Sequence, residues 1–223
     1  MSEIARITRS VREKVGQTCQ YYLKPGSLFK FDGNYYPYFK HEYNTTWANE
    51  RAVEVPAAMG FIHRHDPAGE KAVLEVGNVL SHYHTFAHDV VDKYEQAKGV
   101  VNVDVVEYLP QKQYDLIVSI STLEHVGWDE EVKEPGKILQ AISHLKTLLK
   151  PGGKMLITLP LGYNQPMDRQ IGEGQIDLGR HLYLKRVSDD NCWQQVGWKD
   201  VDGIQYGVPY KFANGLLIGI FEK

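Results

Sequence analysis

The sequence predicts an α/β fold: a doubly wound, mostly parallel seven-stranded sheet with an N-terminal helix and hairpin extension. Three observations lead there. Short apolar runs recur from residue 72, at "AVLEVG" (72–77), "HDVVDKY" (88–94), "GVVNVDVV" (99–106), "YDLIVSIS" (114–121) and "KMLITLPL" (154–161). Continuous apolar runs of this length mark strands buried on both faces. Between the last two, Ile138, Leu139, Ile142, Leu145 and Leu149 fall at helical spacing, and strands alternating with helices give a parallel sheet. Finally, Gly77 closes the first run, at the carboxyl edge where such sheets bind ligands.

The elements follow in order. "LFKFDGNYYPYF" (28–39) sets Asp32-Gly33 between two aromatic runs, a two-residue hairpin signal. "TTWANERAVEVP" (45–56) predicts a helix opening near Thr45 or Thr46, with Pro56 ending or bending it. Residues 1–65 thus read as an extension that packs on or caps the main domain, 66–223, with "HDPAGEK" (65–71) as the joint. In the main domain the second strand closes on Asp92. Pro135 suits the first turn of the helix that "KPGG" (150–153) ends. "SDDNCWQQVG" (188–197) predicts a short helix with Ser188 as N-cap and Gly197 as stop. "WKDVDGIQY" (198–206) and "GLLIGIFEK" (215–223) predict an antiparallel edge pair.

Composition narrows the function. The chain has 223 residues, 43% of them hydrophobic, enough for a sizeable core. A net charge of −3 without a Lys/Arg cluster argues against a nucleic-acid partner. There is no 18-residue apolar run, and "MSEIARITRS" lacks the apolar core of a signal peptide, so no membrane attachment is expected. Cys19 and Cys192 then read as reduced thiols in the cytoplasm. His63, His65, His82, His84 and His88 cluster in sequence. His84 and His88, four apart, would share a helix face and could chelate zinc, but neither an HExxH pattern nor a third ligand at fixed spacing accompanies them.

Taken together, "VLEVG", "VVDKYE", "NVDVVEY", "YDLIVSISTLEHV" and "LKPGGKMLITLP" resemble, in order and spacing, the class I S-adenosylmethionine-dependent methyltransferases. The resemblance covers residues 70–222. It implies S-adenosylmethionine as cofactor and a set of cofactor-binding residues: Glu75, Gly77 and Asn78 at the first turn, Asp92 on the ribose hydroxyls, Asp104 (or Asn102) at the adenine amino group, and Ser121 and Glu124 after the fourth strand. Val79 and Ser81 stand where the family usually has further glycines. A cofactor without pyrophosphate needs less of an amide cradle than a dinucleotide, so one glycine suffices. The same departure counts against a nicotinamide dehydrogenase, and no phosphate-loop pattern is present.

Methyl transfer needs a nucleophile in line with the methyl group and often a base. His125, in "STLEHVGWDE" (121–130), is the first choice for base, since imidazole titrates near neutrality. "LGRHLYLKR" (178–186) offers Arg180 for an anionic group of the acceptor, and His181 or Tyr183 for proton transfer. Tyr43, Asn44 and Arg51 are expected to close over the acceptor pocket, although the aromatic hairpin reads equally as a packing or homodimer surface. Some relatives hold a divalent metal with Glu-x-x-Glu-His. Here Ser121 replaces the first Glu, so no metal is expected. The expected activity is methyl transfer to oxygen or nitrogen of a small-molecule or saccharide-like acceptor. Its rivals are a methyltransferase-like scaffold without activity and a metal-dependent enzyme using the histidine cluster.

Overall fold

The computed structural model describes residues 27–223. Cys19 and residues 1–26 of the extension lie outside the described residues. In chain order the elements are β1 (Leu28–Phe31), β2 (Asn34–Pro37), α1 (Arg51–His65), β3 (Val73–Val76), β4 (Asp89–Val91), β5 (Val100–Val101), β6 (Tyr114–Ile120), α2 (Lys137–Leu148), β7 (Leu149–Pro160), α3 (Gln165–Gly172), β8 (Arg180–Arg186), β9 (Trp193–Val196) and β10 (Gly215–Glu222). The main sheet has eight strands in the order β5-β4-β3-β6-β7-β10-β8-β9. Strands β5 to β7 are parallel, and β10 runs antiparallel between β7 and β8.

The predicted hairpin forms. Asp32 and Gly33 take φ of 49° and 75°, the left-handed pair that a two-residue turn matched to strand twist requires. Helix α1 starts at Arg51, later than expected, after a 3₁₀ segment at Tyr43–Ala48. Pro56 neither ends nor interrupts it, since the helix runs on to His65. The carbonyl that Pro56 cannot serve, that of Ala52, accepts the amide of Phe39 at 2.8 Å instead.

Two apolar layers enclose the sheet. On one face α2 packs Ile138, Ile142 and Leu145 against Leu74, Val76, Ile117 and Ile157. On the other, α1 packs Val53, Val55, Ala57, Ala58 and Phe61 against Val73, Leu116, Val118, Ile120 and Ile218, joined by hairpin residues Phe29 and Phe31. Strand alternation assigns Leu116, Val118 and Ile120 to α1 and Ile117 to α2.

Several expectations are corrected. No helix follows β3: residues 77–88 carry only a 3₁₀ turn at Leu80–His82, so His84 and His88 share no helix face. The connections 92–99 and 102–113 likewise lack an α-helix. Because α1 already covers the face next to β6 and β7, the crossovers can be short. The third strand shrinks to Val100–Val101, and Asp104 instead caps the 3₁₀ turn Val105–Glu107, accepting the amide of Val106. Helix α2 begins two residues after Pro135, and Leu149 opens β7. The predicted helix at 188–197 is a tight turn followed by β9. Ser188 Oγ accepts the amide of Cys192 at 3.2 Å, Asn191 sits at φ 61°, and Trp193 pairs with Arg186. Residues 198–206 form a 3₁₀ turn and loop rather than a strand. Strand β10 is therefore interior, with β8 and β9 outside it.

Candidate active site

The carboxyl ends of β3, β4 and β6 meet around Gly77. Its φ is 84°, and a Cβ there would lie 2.0 Å from Thr122 Oγ1, so the turn is packed directly on the loop after β6. Glu75 organises the turn from below. Its Oε1 accepts the amides of Val79 (2.9 Å) and Leu80 (2.5 Å), and its Oε2 meets His88 Nε2 at 2.8 Å. Burial is the largest single effect and disfavours the charged His88, but the Glu75 hydrogen bond and charge, the Phe86 carbonyl and Asp89 together outweigh it and raise the imidazole above its usual range. Glu75 is wholly buried; it shapes the turn and does not face the cleft.

Asp92 accepts the amides of Asn78, Tyr94 and Glu95. Three of its roughly four lone-pair sites are thus taken, so one is left for a ligand rather than the two a ribose diol needs. Glu95 lines the same cleft and holds Asn78 Nδ2 at 2.7 Å and His82 Nε2 at 2.9 Å. Asn78 Oδ1 is buried without a partner. Asn102 braces this loop through the carbonyls of Asp92 and Glu95.

A cavity of about 250 Å³ opens here, lined by Tyr43, Asn44, Arg51, Asn78, Asp92, Glu95, Ser121, Thr122 and His125. Tyr43 stacks on His82 with ring centroids 4.3 Å apart. Across Thr122 and His125 lies a smaller apolar pocket of about 60 Å³ between Val76, Val91, Tyr94, Val103 and Val126. Asp104 lines that pocket, but its Oδ2 is held by Lys93 and Lys137, each at 2.8 Å. Burial would raise its carboxyl; the two ammonium groups outweigh this and hold it below the usual range.

The loop after β6 carries the reactive groups. His125 Nδ1 lies 2.5 Å from Asp129 Oδ2, which also accepts Tyr163 Oη at 2.6 Å. Burial pushes Asp129 up, but these two hydrogen bonds prevail and hold it below its ordinary value. His125 is half-exposed and lines the cleft, with Nε2 3.5 Å from Glu124 Oε1. Ser121, at φ 39°, donates its hydroxyl to Glu54 Oε1, which also takes Thr158 Oγ1 at 2.6 Å. Glu54 Oε2 pairs with Arg51 at 2.6 Å. Ser121 is therefore bound to α1 as much as it faces the cleft.

The structure brings Tyr43, Asn44, Arg51, Gly77, Asn78, Asp92, Ser121, Glu124 and His125 to one place, and it does not bring Arg180, His181 or Tyr183 there. Through β10, Arg180 and His181 sit level with Leu156 and Ile157, midway along β7 and two strands beyond it. Arg180 forks onto Asp32 of the hairpin at 2.5 and 2.8 Å. His181 contacts Tyr183, and Tyr183 packs on Trp198. The five histidines do not converge either. His63 and His65 lie on α1, His82 meets Glu95, and His88 meets Glu75. Among the described residues no group of His, Cys, Asp and Glu is placed to hold a metal ion. Sequence reading missed Glu95, Thr122, Asp129, Tyr163 and Glu54. The spacings Asp92-x-x-Glu95 and His125-x-x-x-Asp129 carry a signal, as does a lone acid inside "AVEVPAA".

The sequence pattern of the methyltransferase domain matches residues 42–202, spanning every residue of this cleft. The chain belongs to the class I S-adenosylmethionine-dependent methyltransferases. Solved methyltransferases with a similar arrangement include the N-methyltransferase NodS from Bradyrhizobium japonicum WM9 in complex with S-adenosyl-L-homocysteine (13% identity, 75% of this chain and 85% of that one, TM-score 0.44). Others are the 1,6-didemethyltoxoflavin-N1-methyltransferase from Burkholderia thailandensis (15%, 82% and 83%, 0.46) and a SAM-dependent methyltransferase from Archaeoglobus fulgidus (15%, 75% and 93%, 0.45). No curated protein sequence matches the chain significantly.

The residues present fit the cofactor of a class I methyltransferase. The buried Asn78 Oδ1 needs a donor that the described residues do not provide, and Glu124 Oε2 is buried without a partner as well. The polar cavity and the apolar pocket adjoin at Thr122 and His125, as a ligand with a charged end and a flat base requires. Among the described residues no helix is long and apolar enough to cross a membrane.

Proposed function

We propose that this methyltransferase acts in the cytoplasm on oxygen or nitrogen of a small-molecule or saccharide-like acceptor, with His125 as general base. The observation that carries this reading is the His125–Asp129 contact of 2.5 Å at the cleft mouth. A carboxylate on Nδ1 fixes the tautomer and leaves Nε2 free to take a proton, as in hydrolytic triads. The bound cofactor supplies an electrophilic methyl group on a sulfonium. Asn78, Asp92 and Glu95 hold its polar end, and the valine-lined pocket its base. Arg51 and Tyr43 line the cleft and orient the acceptor.

The test combines purified protein, S-adenosylmethionine and a panel of small phenols, amines, carboxylates and sugars, with S-adenosylhomocysteine as the readout. Acceptor-dependent product should appear, and His125→Ala should lower turnover by about 10²–10⁴ with donor affinity nearly intact. Turnover unaffected by His125→Ala removes the residue from the mechanism.

A further inference from the structure

One group buried behind the cleft, between the lining residues Thr122 and His125, has no role in this scheme. Glu124 is 2% exposed, and its Oε2 is buried with no hydrogen-bond partner. Its Oε1 is 3.5 Å from His125 Nε2, beyond a good hydrogen bond. The surrounding charges do not balance. From α1 and the residue before it come Glu50, Arg51 and Glu54, with side chains that interact electrostatically with Glu124. Tyr163 and Tyr206, from the loops after β7 and before β10, also feel its charge. The guanidinium is spent on Glu54, at 2.6 Å, and Glu50 Oε2 takes the amide of Ala213 at 3.1 Å. The three carboxyls therefore share Arg51, and Glu50 also feels the Arg186 guanidinium. Burial foremost, with Glu54 and Glu50 adding to it, pushes Glu124 well above the usual carboxyl range despite its own backbone amide and Arg51.

An unpartnered buried acid beside surplus negative charge is costly unless a cation arrives. A methyltransferase donor brings two cations into the cleft, an ammonium that the product keeps and a sulfonium that becomes a neutral thioether. We propose that Glu124 is the counter-charge of the donor's sulfonium, releasing its proton to solvent when the donor binds and regaining one when only the thioether product remains. The inference rests on the methyltransferase reading of this cleft. It gives the protein a way to prefer donor over product, two molecules that differ by one methyl group and its charge.

Titration calorimetry with S-adenosylmethionine and S-adenosylhomocysteine tests it, each ligand in phosphate and in Tris at about pH 7. The buffer difference reports protons released. The wild-type protein should release protons with the donor and none with the product. It should also bind the donor about ten- to a hundredfold more tightly. In Glu124→Gln, which keeps the shape of the neutral acid, the proton release should vanish and the preference should fall below about threefold. Equal affinities with no proton released, or release that survives Glu124→Gln, overturns the proposal. If folded wild-type protein binds neither molecule, the methyltransferase reading itself fails.

Discussion

Replacing Gly77 by alanine tests the geometry of the cofactor turn with two separable costs. The backbone there has φ 84°, and a side chain in the left-handed region costs about 1–2 kcal/mol. The new Cβ would also stand 2.0 Å from Thr122 Oγ1, 2.7 Å from Cγ2 and 2.8 Å from Cβ. Thr122 cannot swing away freely, since its hydroxyl donates to the carbonyl of Ile120 at 3.1 Å. Overpacking of this kind costs about 1–3 kcal/mol. The sum, about 2–5 kcal/mol, is a large share of a domain's ~5–15 kcal/mol. In urea unfolding, with a slope of about 2–3 kcal/mol per molar, the midpoint should fall by about 1–2 M. Thr122→Ala removes Oγ1 and Cγ2 but not Cβ, so the double variant should recover at least about 1 kcal/mol beyond additivity. A midpoint shift under about 0.5 M, or strict additivity, refutes the close packing of the turn on the loop after β6.

Three further outcomes are expected. Glu75→Ala strands the amides of Val79 and Leu80 and leaves His88 without its partner; denaturant unfolding should show a loss of about 3–5 kcal/mol. Asp168 is half-buried in the first turn of α3, and desolvation raises its carboxyl from 3.8 to about 6 despite the Gly162 amide. The folded state therefore keeps a proton that the unfolded chain releases, so the contribution of Asp168 to stability is greatest at low pH and declines between about pH 4 and 6. Asp168→Asn should remove that decline and stabilise the protein at pH 7 by about 1–2 kcal/mol, allowing for its partial exposure; no gain in midpoint contradicts the raised carboxyl. Asp129→Asn should cut turnover by about 10²–10⁴ through loss of imidazole orientation while calorimetric donor affinity stays the same, and an equal fall in affinity would make the pair structural instead.

The parallel half of the sheet was legible because burial on both faces leaves a mark that does not depend on context. All four residues of "VLEV" and six of the seven in "YDLIVSI" are buried. The antiparallel side was misread where local signals competed with pairing. "SDDNCWQQVG" has a cap at one end and a stop at the other, yet Asn191 turns left-handed and Trp193 joins Arg186 across the strand. Likewise "RHLYLKR" becomes a strand because β10 offers it an edge, which no residue within the segment announces. The missing helix after β3 has a related cause. "VLSHYHTFAH" has no helical apolar period, and α1, from a distant stretch, already covers that face.

The single glycine of the cofactor turn follows from backbone angles. Only Gly77 there has positive φ; Val79 sits at φ −110°, ψ −53°, and Leu80 to His82 form a right-handed turn. Positions 79 and 81 therefore ask nothing of glycine that valine and serine cannot meet. The amides a glycine-rich turn would aim at a ligand are here aimed at Glu75, at 2.9 and 2.5 Å. A carboxylate inside the protein has taken over the bracing of the turn. Recognition then falls to side chains: the buried Asn78 Oδ1, Asp92 with its remaining lone pair, and Glu95. This is why Glu75 and Asp92 could be picked out from their places at strand ends while their division of labour could not. That division depends on which oxygen meets which amide, and the contact that ties the two strand ends together, Asn78 to Asp92, spans fourteen positions.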